Sequence, residues 1–597
     1  MKPYFQRGIA LGALLALVVG GGCKVGSDYQ KPNASAQLNE SFAQTEADKV
    51  QEQVGADVSS WWSQINDETL AQLTNEAVSG NLTLREAMFR IQAARAALGS
   101  TNANLLPQVA QEGSYTHQTA QGHSQSVFAT ATSMAWEIDV FGRIQRSIEA
   151  AEADMEVQRE LYRDAYVILI GDVAQAYVDA RACQDQIRVA KINILVQEYI
   201  VDYVRIHREA GSMSALDEYR ALGPLHNTRA TLVALETQYQ QTLNQLSILV
   251  GRPPGRVDEM MADARPIPTR EELREYLTSD DLTQLERFVE KMGELLLEDL
   301  LVPETPDQIL VGIPADLLRR RPDIRAAEQR IIAQNARVGV AVADLYPMFT
   351  LSGSFGLQAN SFSNMFDSDS IVAGVGPAFR WNILNFGKYR FNIEAQRFMQ
   401  EELIATYRQT VLKAAEEVDN ALVTYVNESG RNATLAQAVD AYLKALHKTL
   451  EQRQGGIADI QPILEAEAGL LTNGLQFIQS KANATGSVVQ LYRALGGDWY
   501  TNASSAPTGP AAAAVANRDA SSREADEREA RLDEREARLA EREARLNERR
   551  ASNADFRIAA VDDDELEASP ELAEPVLSTV EDGYADEALL DGSLLAE

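Results

Sequence analysis

The chain has 597 residues, 45% of them hydrophobic, enough for several domains or one large repeated architecture. Its 87 acidic residues against 55 Lys and Arg leave a formal net charge of −32, which excludes nucleic acid as a partner, because neutralising phosphates takes clustered bases. Two cysteines, Cys23 and Cys183, are too few for a disulfide framework.

Residues 1–22 place Lys2 and Arg7 ahead of an apolar run that ends in small residues just before Cys23. The run is too short to span a bilayer and has the layout of a secretory signal. Cleavage before Cys23 and lipidation of its thiol is the expectation, although Gly20 stands where lipoprotein signals usually carry Leu. Residues 23–58 follow as an extended N-terminal segment.

From residue 59 the chain repeats itself. "WEIDVFGRIQ" at Trp136 returns as "WNILNFGKYR" at Trp381, an offset of 245 that also relates Gly211 to Gly456 and Gly251 to Gly496. Upstream, the stretch ending at Pro107 matches the one ending at Pro347 at offset 240. Two tandem units are expected, 59–251 and 317–500. Each begins with a helix and continues as two strands. In the second unit Phe349, Leu351, Phe355 and Leu357 alternate with small or polar residues, as do Ile371, Ala373, Val375, Phe379 and Trp381. That period of two predicts a hairpin with one apolar face; the first unit, from Val109 to Trp136, carries the same layout more weakly.

Past each Phe-Gly the period becomes heptad. Tyr166, Val173, Ala180, Ile187, Ile194 and Val201 form one seam; Leu169, Ala176, Cys183, Ala190, Gln197 and Val204 form the other. The pattern recurs 245 residues on and lapses only around Glu428, Gly430 and Asn432. No proline interrupts Arg143 to Ala210, so one helix of roughly 100 Å is expected at ~1.5 Å per residue. Gly211 and Gly456 end the two long helices as cap glycines, and returning helices run to Gly251 and Gly496. The Trp of each repeated motif is expected as an aromatic girdle residue, and its glycine as the bend where strand becomes helix.

Between the units, 252–316 is a linker in which 269–300 inserts an amphipathic helical segment. After the second unit come a flexible linker (501–522), a charged heptad helix (523–550) and an acidic disordered tail (551–597). The heptad helix carries Glu527–Arg531, Glu534–Arg538 and Glu541–Arg545 at i,i+4. Leu532, Leu539 and Leu546 supply one seam position in place of two, so a solvated single helix is expected. The tail holds fourteen acids against one Arg.

Four apolar-faced strands cannot close a barrel, and an open sheet in lipid leaves backbone groups unpaired. Small barrels begin at about eight strands. The chain must therefore oligomerise, and three copies would supply twelve strands. At this point "CKVGSDYQKP" at Cys23, "WEIDVFGRI" at Trp136, "LLRRRPDIRAAEQRI" at Leu317 and "LYRALGGDW" at Leu491 carry a resemblance. Over about residues 23–500 the chain resembles TolC-like outer-membrane factors, in the lipoprotein (NodT-type) branch of resistance–nodulation–division efflux systems.

The resemblance implies an α+β membrane protein. It would be a homotrimer whose twelve-stranded outer-membrane β-barrel continues into a periplasmic α-helical coiled-coil barrel. The implied partners are outer-membrane lipid, a periplasmic adaptor and an inner-membrane resistance–nodulation–division transporter, with small molecules such as drugs or metal ions as cargo. Lys24 after Cys23 suits sorting to the outer membrane, and the tail would lie in the periplasm. Asp217 and Glu465 match acids that close the periplasmic end in the family. Arg453 and Asp459, the latter offset by one, join them as gate candidates beside the unusual Pro462. Gly211, Ser212, Ser214, Gly455 and Gly456 form the turns expected to dock the adaptor. No catalytic, cofactor or metal constellation is present in the sequence. His117, His123, His207, His226 and His447 form no ligand-spaced set, and HExxH, CxxC and phosphate-loop motifs are missing. The rival readings are a duct for protein secretion and an envelope-spanning tether.

Overall fold

The computed structural model describes residues 24–33, 50–52, 67–120, 123–263, 265–272, 282–305, 309–311, 320–454 and 460–497. The expected signal, Cys23, the linker 501–522, the heptad helix and the acidic tail lie outside them. All described residues belong to one compact unit, Met1–Pro507.

From the helix Leu82–Asn102 onward the duplication is realised element by element. The first repeat opens on helix α1 (Glu68–Gly80), whose Asp67 cap accepts from the amides of Thr69 and Leu70. It continues through α2 (Leu82–Asn102), strands β2 (Gln108–Ala120) and β3 (His123–Ile138), the long helix α3 (Arg143–Glu209) and the returning helix α4 (Ala215–Leu249). The second runs α6 (Pro322–Ala343), β5 (Met348–Ala359), β6 (Ile371–Arg380), α7 (Lys388–Gln454) and α8 (Gln461–Ala494). Both long helices have 67 residues and begin and end 245 residues apart, so the sequence offset reports equal lengths of helix.

The four long strands form one antiparallel sheet in the order β2-β3-β5-β6. Directly paired residues share a face, and the register sorts the faces by chemistry. Phe349 pairs with Phe379 and Ile138, Leu351 with Pro377 and Trp136, and Leu357 with Ile371 and Thr130. Tyr115 pairs with Phe128 and Val109 with Met134 on that same face. The opposite face carries Ser352 with Gly376, Ser354 with Gly374, and Ser133 with Ala110. The sheet is thus mainly apolar on one side, interrupted in the first hairpin by Gln111, His117, Thr130 and Thr132, and mostly small or polar on the other. Its outer strands, β2 and β6, each have an unpaired edge among the described residues.

The seams expected on α3 are buried: Val173, Ala176, Ala180, Cys183, Ala190, Val201 and Val204, with Gln197 among them. Ile187 and Ile194 are half-buried. Two stripes do not exhaust the burial, however. α3 packs on α2, α4, α6 and α8 together, so Arg181, Asp185 and Arg188 are buried as well. The heptad lapse on α7 is not a break, because the helix runs through it. There Ser480 of α8 donates to the Glu428 carboxylate (2.7 Å), and the Asn432 amide donates to the Phe477 carbonyl (3.1 Å). Polar bonds replace apolar packing at that level.

The inserted segment folds as α5 (Leu282–Gly293), followed by a π turn at Glu294–Glu298. It buries Phe288, Met292, Leu295 and Leu296, and it packs on α7. Its far end is tied to α3, where the Asp185 carboxylate accepts from the amides of Leu301 and Val302 and from Arg265 (2.7 Å). Arg188 donates to Asp299 (2.7 Å). One pairing was not foreseen: β1 (Val50–Glu52) lies parallel to β4 (Ile309–Val311), joining the N-terminal segment to the linker.

The turns after α4 and α8 show why the motifs there contain glycine. Gly251 and Gly496 have φ of +74° and +96°, and a Cβ on Gly251 would meet the Gly80 carbonyl oxygen at 2.1 Å. Beside each turn a side chain caps the returning helix. Asn81 donates to the Leu249 carbonyl and Arg321 to the Ala494 carbonyl, both at 2.8 Å. Asn81 and Arg321 are 240 residues apart, and their acceptors are 245 apart. Arg321 also grips Asp323 (3.1 and 2.8 Å) and Glu417 (2.7 Å), which accounts for the Arg-Pro-Asp run at the start of α6.

Candidate functional site

The residues singled out in the sequence fall at two ends of the fold: the junction where sheet becomes helix, and the turn at the far end of the long helices. At the junction the repeated Trp does more than offer an aromatic surface. The Trp136 indole donates to the Leu105 carbonyl (2.9 Å) and the Trp381 indole to the Leu345 carbonyl (3.0 Å). Each bond ties the end of a hairpin to the chain just before that hairpin begins. Gly142 and Gly387, with φ of +75° and +88°, then turn the chain into α3 and α7. Arg143 clamps the strand end by a two-pronged bond to Glu137 (2.9 and 2.6 Å).

Residues 24–33 are laid across this junction. Arg146, almost fully buried, donates to the carbonyls of Val25 and Gly26 and to Asp28 (each 3.1 Å). Lys24 pairs with Glu149 and packs against Gly142. Asn335 donates to the Ser27 carbonyl (3.0 Å), while Tyr29 and Lys31 both reach Glu328 of α6 (3.3 and 2.8 Å). The residue after Cys23 is therefore held at the bend between β3 and α3. Cys23 itself lies outside the described residues.

At the other end, α3 stops at Gly211, with φ of +78°. The Ser212 hydroxyl donates to the His207 carbonyl (2.9 Å), closing the last turn. Ser214 begins α4 with a capping box, its hydroxyl and amide both bonding Asp217 (2.7 and 3.0 Å). Those bonds, hydroxyl first, hold the Asp217 carboxyl below its ordinary range. Asp217 thus serves its own helix start, with Arg220 at 4.0 Å. The acid that crosses between the helices is its neighbour, which sequence reasoning missed. Glu218, nearly buried, bonds Arg205 (3.3 Å) and Arg208 (2.5 Å) of α3. Asp202 extends this cluster to Arg205 and to Arg270 of the inserted linker. The available signal was spacing: Glu218, Ala221, Leu225 and Thr228 make one buried stripe of α4.

In the second repeat Arg453 falls in the last turn of α7, its side chain outside the described residues, as are Gly455, Gly456 and Asp459. Glu465 is exposed on α8 and accepts from Gln461 one turn before it (3.0 Å).

A charged pocket lies between the two ends, where α3, α6, α7 and α8 meet. It is lined by Asp164, Arg321, Asp323, Glu417, Gln490 and Arg493 among others. Burial first, and Asp323 next, push the Asp164 carboxyl up to about 6, against the pull of Arg321 and Arg493.

The family described as outer membrane efflux protein matches residues 73–252 and 313–497, well over half of the chain. The toluene efflux pump outer membrane protein TtgF of Pseudomonas putida is 27% identical over 527 residues, covering 85% of this chain and 99% of that protein. The outer membrane protein OprJ of Pseudomonas aeruginosa is 27% identical over 507 residues, 83% of this chain and 97% of that one. Among solved structures, the outer-membrane channel OprN superposes with a TM-score of 0.66 at 28% identity, over 80% of this chain and all of that chain.

Proposed function

The chain belongs to the outer membrane efflux protein family, and from that premise we propose that three copies close a channel by which a tripartite pump discharges small molecules across the outer membrane. The observation that carries this reading is the open four-stranded sheet with one apolar face. A free β2 edge and a free β6 edge run antiparallel to each other, so β6 of one copy can pair with β2 of the next. Three sheets joined in this way give twelve strands with no edge left in lipid. Among the described residues no helix is long and apolar enough to cross a membrane.

The helices point to the same neighbour. α6 and α8 of the second repeat pack on α3 of the first, while the matching faces of α2 and α4 stay open. α6 buries thirteen residues and α2 only Leu84; α8 buries nineteen and α4 seven. The duplication supplies the missing partner: α7 of one copy would take α2 and α4 of the next. Phe141 stacks on Tyr346 at 4.6 Å within the chain. The equivalent pair, Phe386 and Leu106, is 89% and 65% exposed and would meet only between copies.

On this reading Cys23 is the lipidated residue, supported by Lys24 held at the foot of the sheet, where an acyl chain reaches the bilayer. Gly211, Ser212, Ser214, Gly455 and Gly456 form the end that meets a periplasmic adaptor, which links the channel to an inner-membrane resistance–nodulation–division transporter. Asp217, Arg453, Asp459 and Glu465 contribute charge to its closure. Relatives named for efflux favour this reading over a protein-secretion duct or a tether. The test is the mass of the detergent-solubilised particle together with its single-channel conductance. A trimer that conducts is expected; a monodisperse monomer with its strand content intact would sink the proposal.

A further inference from the structure

Gln197 is the one polar member of the α3 seam, and the channel reading leaves it unexplained. It is fully buried, as is Asn193 one turn earlier, amid Ile192, Val196 and Ile200. Facing both from α8 is Glu467, 1% exposed, flanked by Ile463, Leu464 and Leu470. Neither oxygen of the Glu467 carboxyl accepts a hydrogen bond, and Asn193 Oδ1 and Gln197 Oε1 are also without a partner. None of these four oxygens takes part in a well-formed hydrogen bond, although the Gln197 and Asn193 side chains lie close enough to the carboxyl to pull on it.

Such an arrangement is costly while the carboxyl is ionised, since buried polar atoms are almost always paired. One proton relieves most of it. A protonated Glu467 donates its O–H to an amide oxygen, brought round by a half-turn of either amide, and accepts an amide N–H in return. Ionised, the same group would be a buried charge with no counter-ion. No charged side chain offsets it. On α3 the flanking Lys191 and Glu198 turn to α4, where they pair with Glu236 and Arg229. Across the hairpin, near the Tyr442 ring that meets Gly469, α7 carries Lys444, paired with Asp440, and His447, and neither contributes. The inserted segment offers Leu295 and Leu296, with Lys291 and Glu294 paired to each other. Burial accordingly pushes the carboxyl up to about 8, the two amides pulling more weakly the other way.

We infer that Glu467 carries a proton in the closed protein and that this proton latches the first turns of α8 onto α3, so that the closed end tightens as pH falls. Glu467 lies six residues into α8, about 9 Å from its start at ~1.5 Å per residue. The link from latch to closure rests on the reading of that end as the gate.

The pH window follows from the two states. A carboxyl raised by burial favours the seated state at low pH. That preference is lost as pH rises from the solvated value of 4.5 to about 8, and above 8 both states are ionised and nothing more changes. Amide hydrogen exchange of residues 461–470 in the detergent-solubilised trimer reads seating directly. The ratio of wild type to Glu467→Gln at each pH cancels the intrinsic pH dependence of exchange. The ratio is expected to climb by up to about tenfold per unit between about pH 5 and pH 8, and then to level. A ratio flat across that range overturns the latch. Infrared difference spectra of the wild-type trimer, which need no variant, should show a protonated carboxyl band at pH 7 that is gone at pH 10. Its absence at pH 7 likewise overturns the assignment. Conductance measured in parallel should rise over the same interval. A conducting channel that ignores pH while exchange responds separates the latch from the gate and defeats that part of the inference. A protein that never conducts, with the exchange ratio as expected, counts against the channel reading and leaves the latch standing.

Discussion

Replacing Glu218 by Gln tests which acid holds the far end of the first hairpin. Its carboxylate is about one-tenth exposed, but Arg205 and Arg208 are 48% and 41% exposed, so solvent screening limits each link to ~0.2–1 kcal/mol. Two links are together about 1 kcal/mol per protomer on that scale. Three protomers opening in concert would then lose about 3 kcal/mol, on the order of a hundredfold in the open population. Gln keeps the size and hydrogen-bonding reach of the side chain and removes only its charge, so the helices should stay packed. The assay is single-channel conductance of the purified trimer, with size exclusion and circular dichroism as checks on assembly. In high salt, where the screening length falls to ~3 Å at 1 M, the wild type should approach the variant. Asp217→Ala is the control. It removes a capping box within α4 and no bond to α3, so its effect should appear as fraying of the first turn of α4 and a smaller rise in conductance. A trimeric Glu218→Gln variant as tightly closed as wild type at low salt, or a larger rise from Asp217→Ala, would refute the assignment.

Cys23→Ala should abolish acyl labelling while leaving much of the protein in the membrane fraction, because one lipid anchor binds only marginally compared with a barrel; unchanged labelling would dismiss the lipid site. Gly251→Ala should destabilise strongly, with the trimer lost before the helices melt, since its Cβ collides with the Gly80 carbonyl at a φ of +74°; a thermal midpoint equal to wild type would contradict the turn. Arg321→Ala should cost more than Asn81→Ala although both cap a returning helix, because the cap, ~1–2 kcal/mol in each case, is joined at Arg321 by links to Asp323 and Glu417, 27% and 55% exposed, that add ~0.2–1 kcal/mol each; equal midpoints in denaturant would show that the shared cap is all that counts. Asp164→Asn should raise the thermal midpoint more at pH 7.5 than at pH 4. Burial holds the carboxyl at about 6, so its ionisation weighs against the fold increasingly from 3.8 upward and fully above 6. The same shift at both pH values would exclude that account.

The duplication, the lengths of the long helices, the two hairpins and the apolar face of the sheet were all legible as spacing. Equal offsets at Trp136 and Trp381 and at Gly251 and Gly496 mean equal numbers of residues between turns, and periods of two and seven report which face a local element buries. The expectation that the chain oligomerises comes from the strand count alone, which needs no coordinates. The repeated Trp was legible as a marker of the junction but not as a tie, because its acceptors, the carbonyls of Leu105 and Leu345, lie 31 and 36 residues away and any residue type can offer them.

What sequence could not decide was rotation and meeting. Asp217 and Glu218 are adjacent acids on one helix, about 100° apart at 3.6 residues per turn. Only the packing of α4 on α3, through Ala221 and Leu225, determines which of them reaches the arginines. Asn81 and Arg321 are chemically unlike, so no motif comparison links them, yet the fold sets both against the last carbonyls of a returning helix. Glu467 reads as one more acid in an acidic chain until α8 is laid on α3 and closes it in with Asn193 and Gln197. Periodicity is a local property, recorded along the backbone. The neighbours a side chain meets from 270 residues away depend on how whole helices are turned against each other, which the sum of the packing decides.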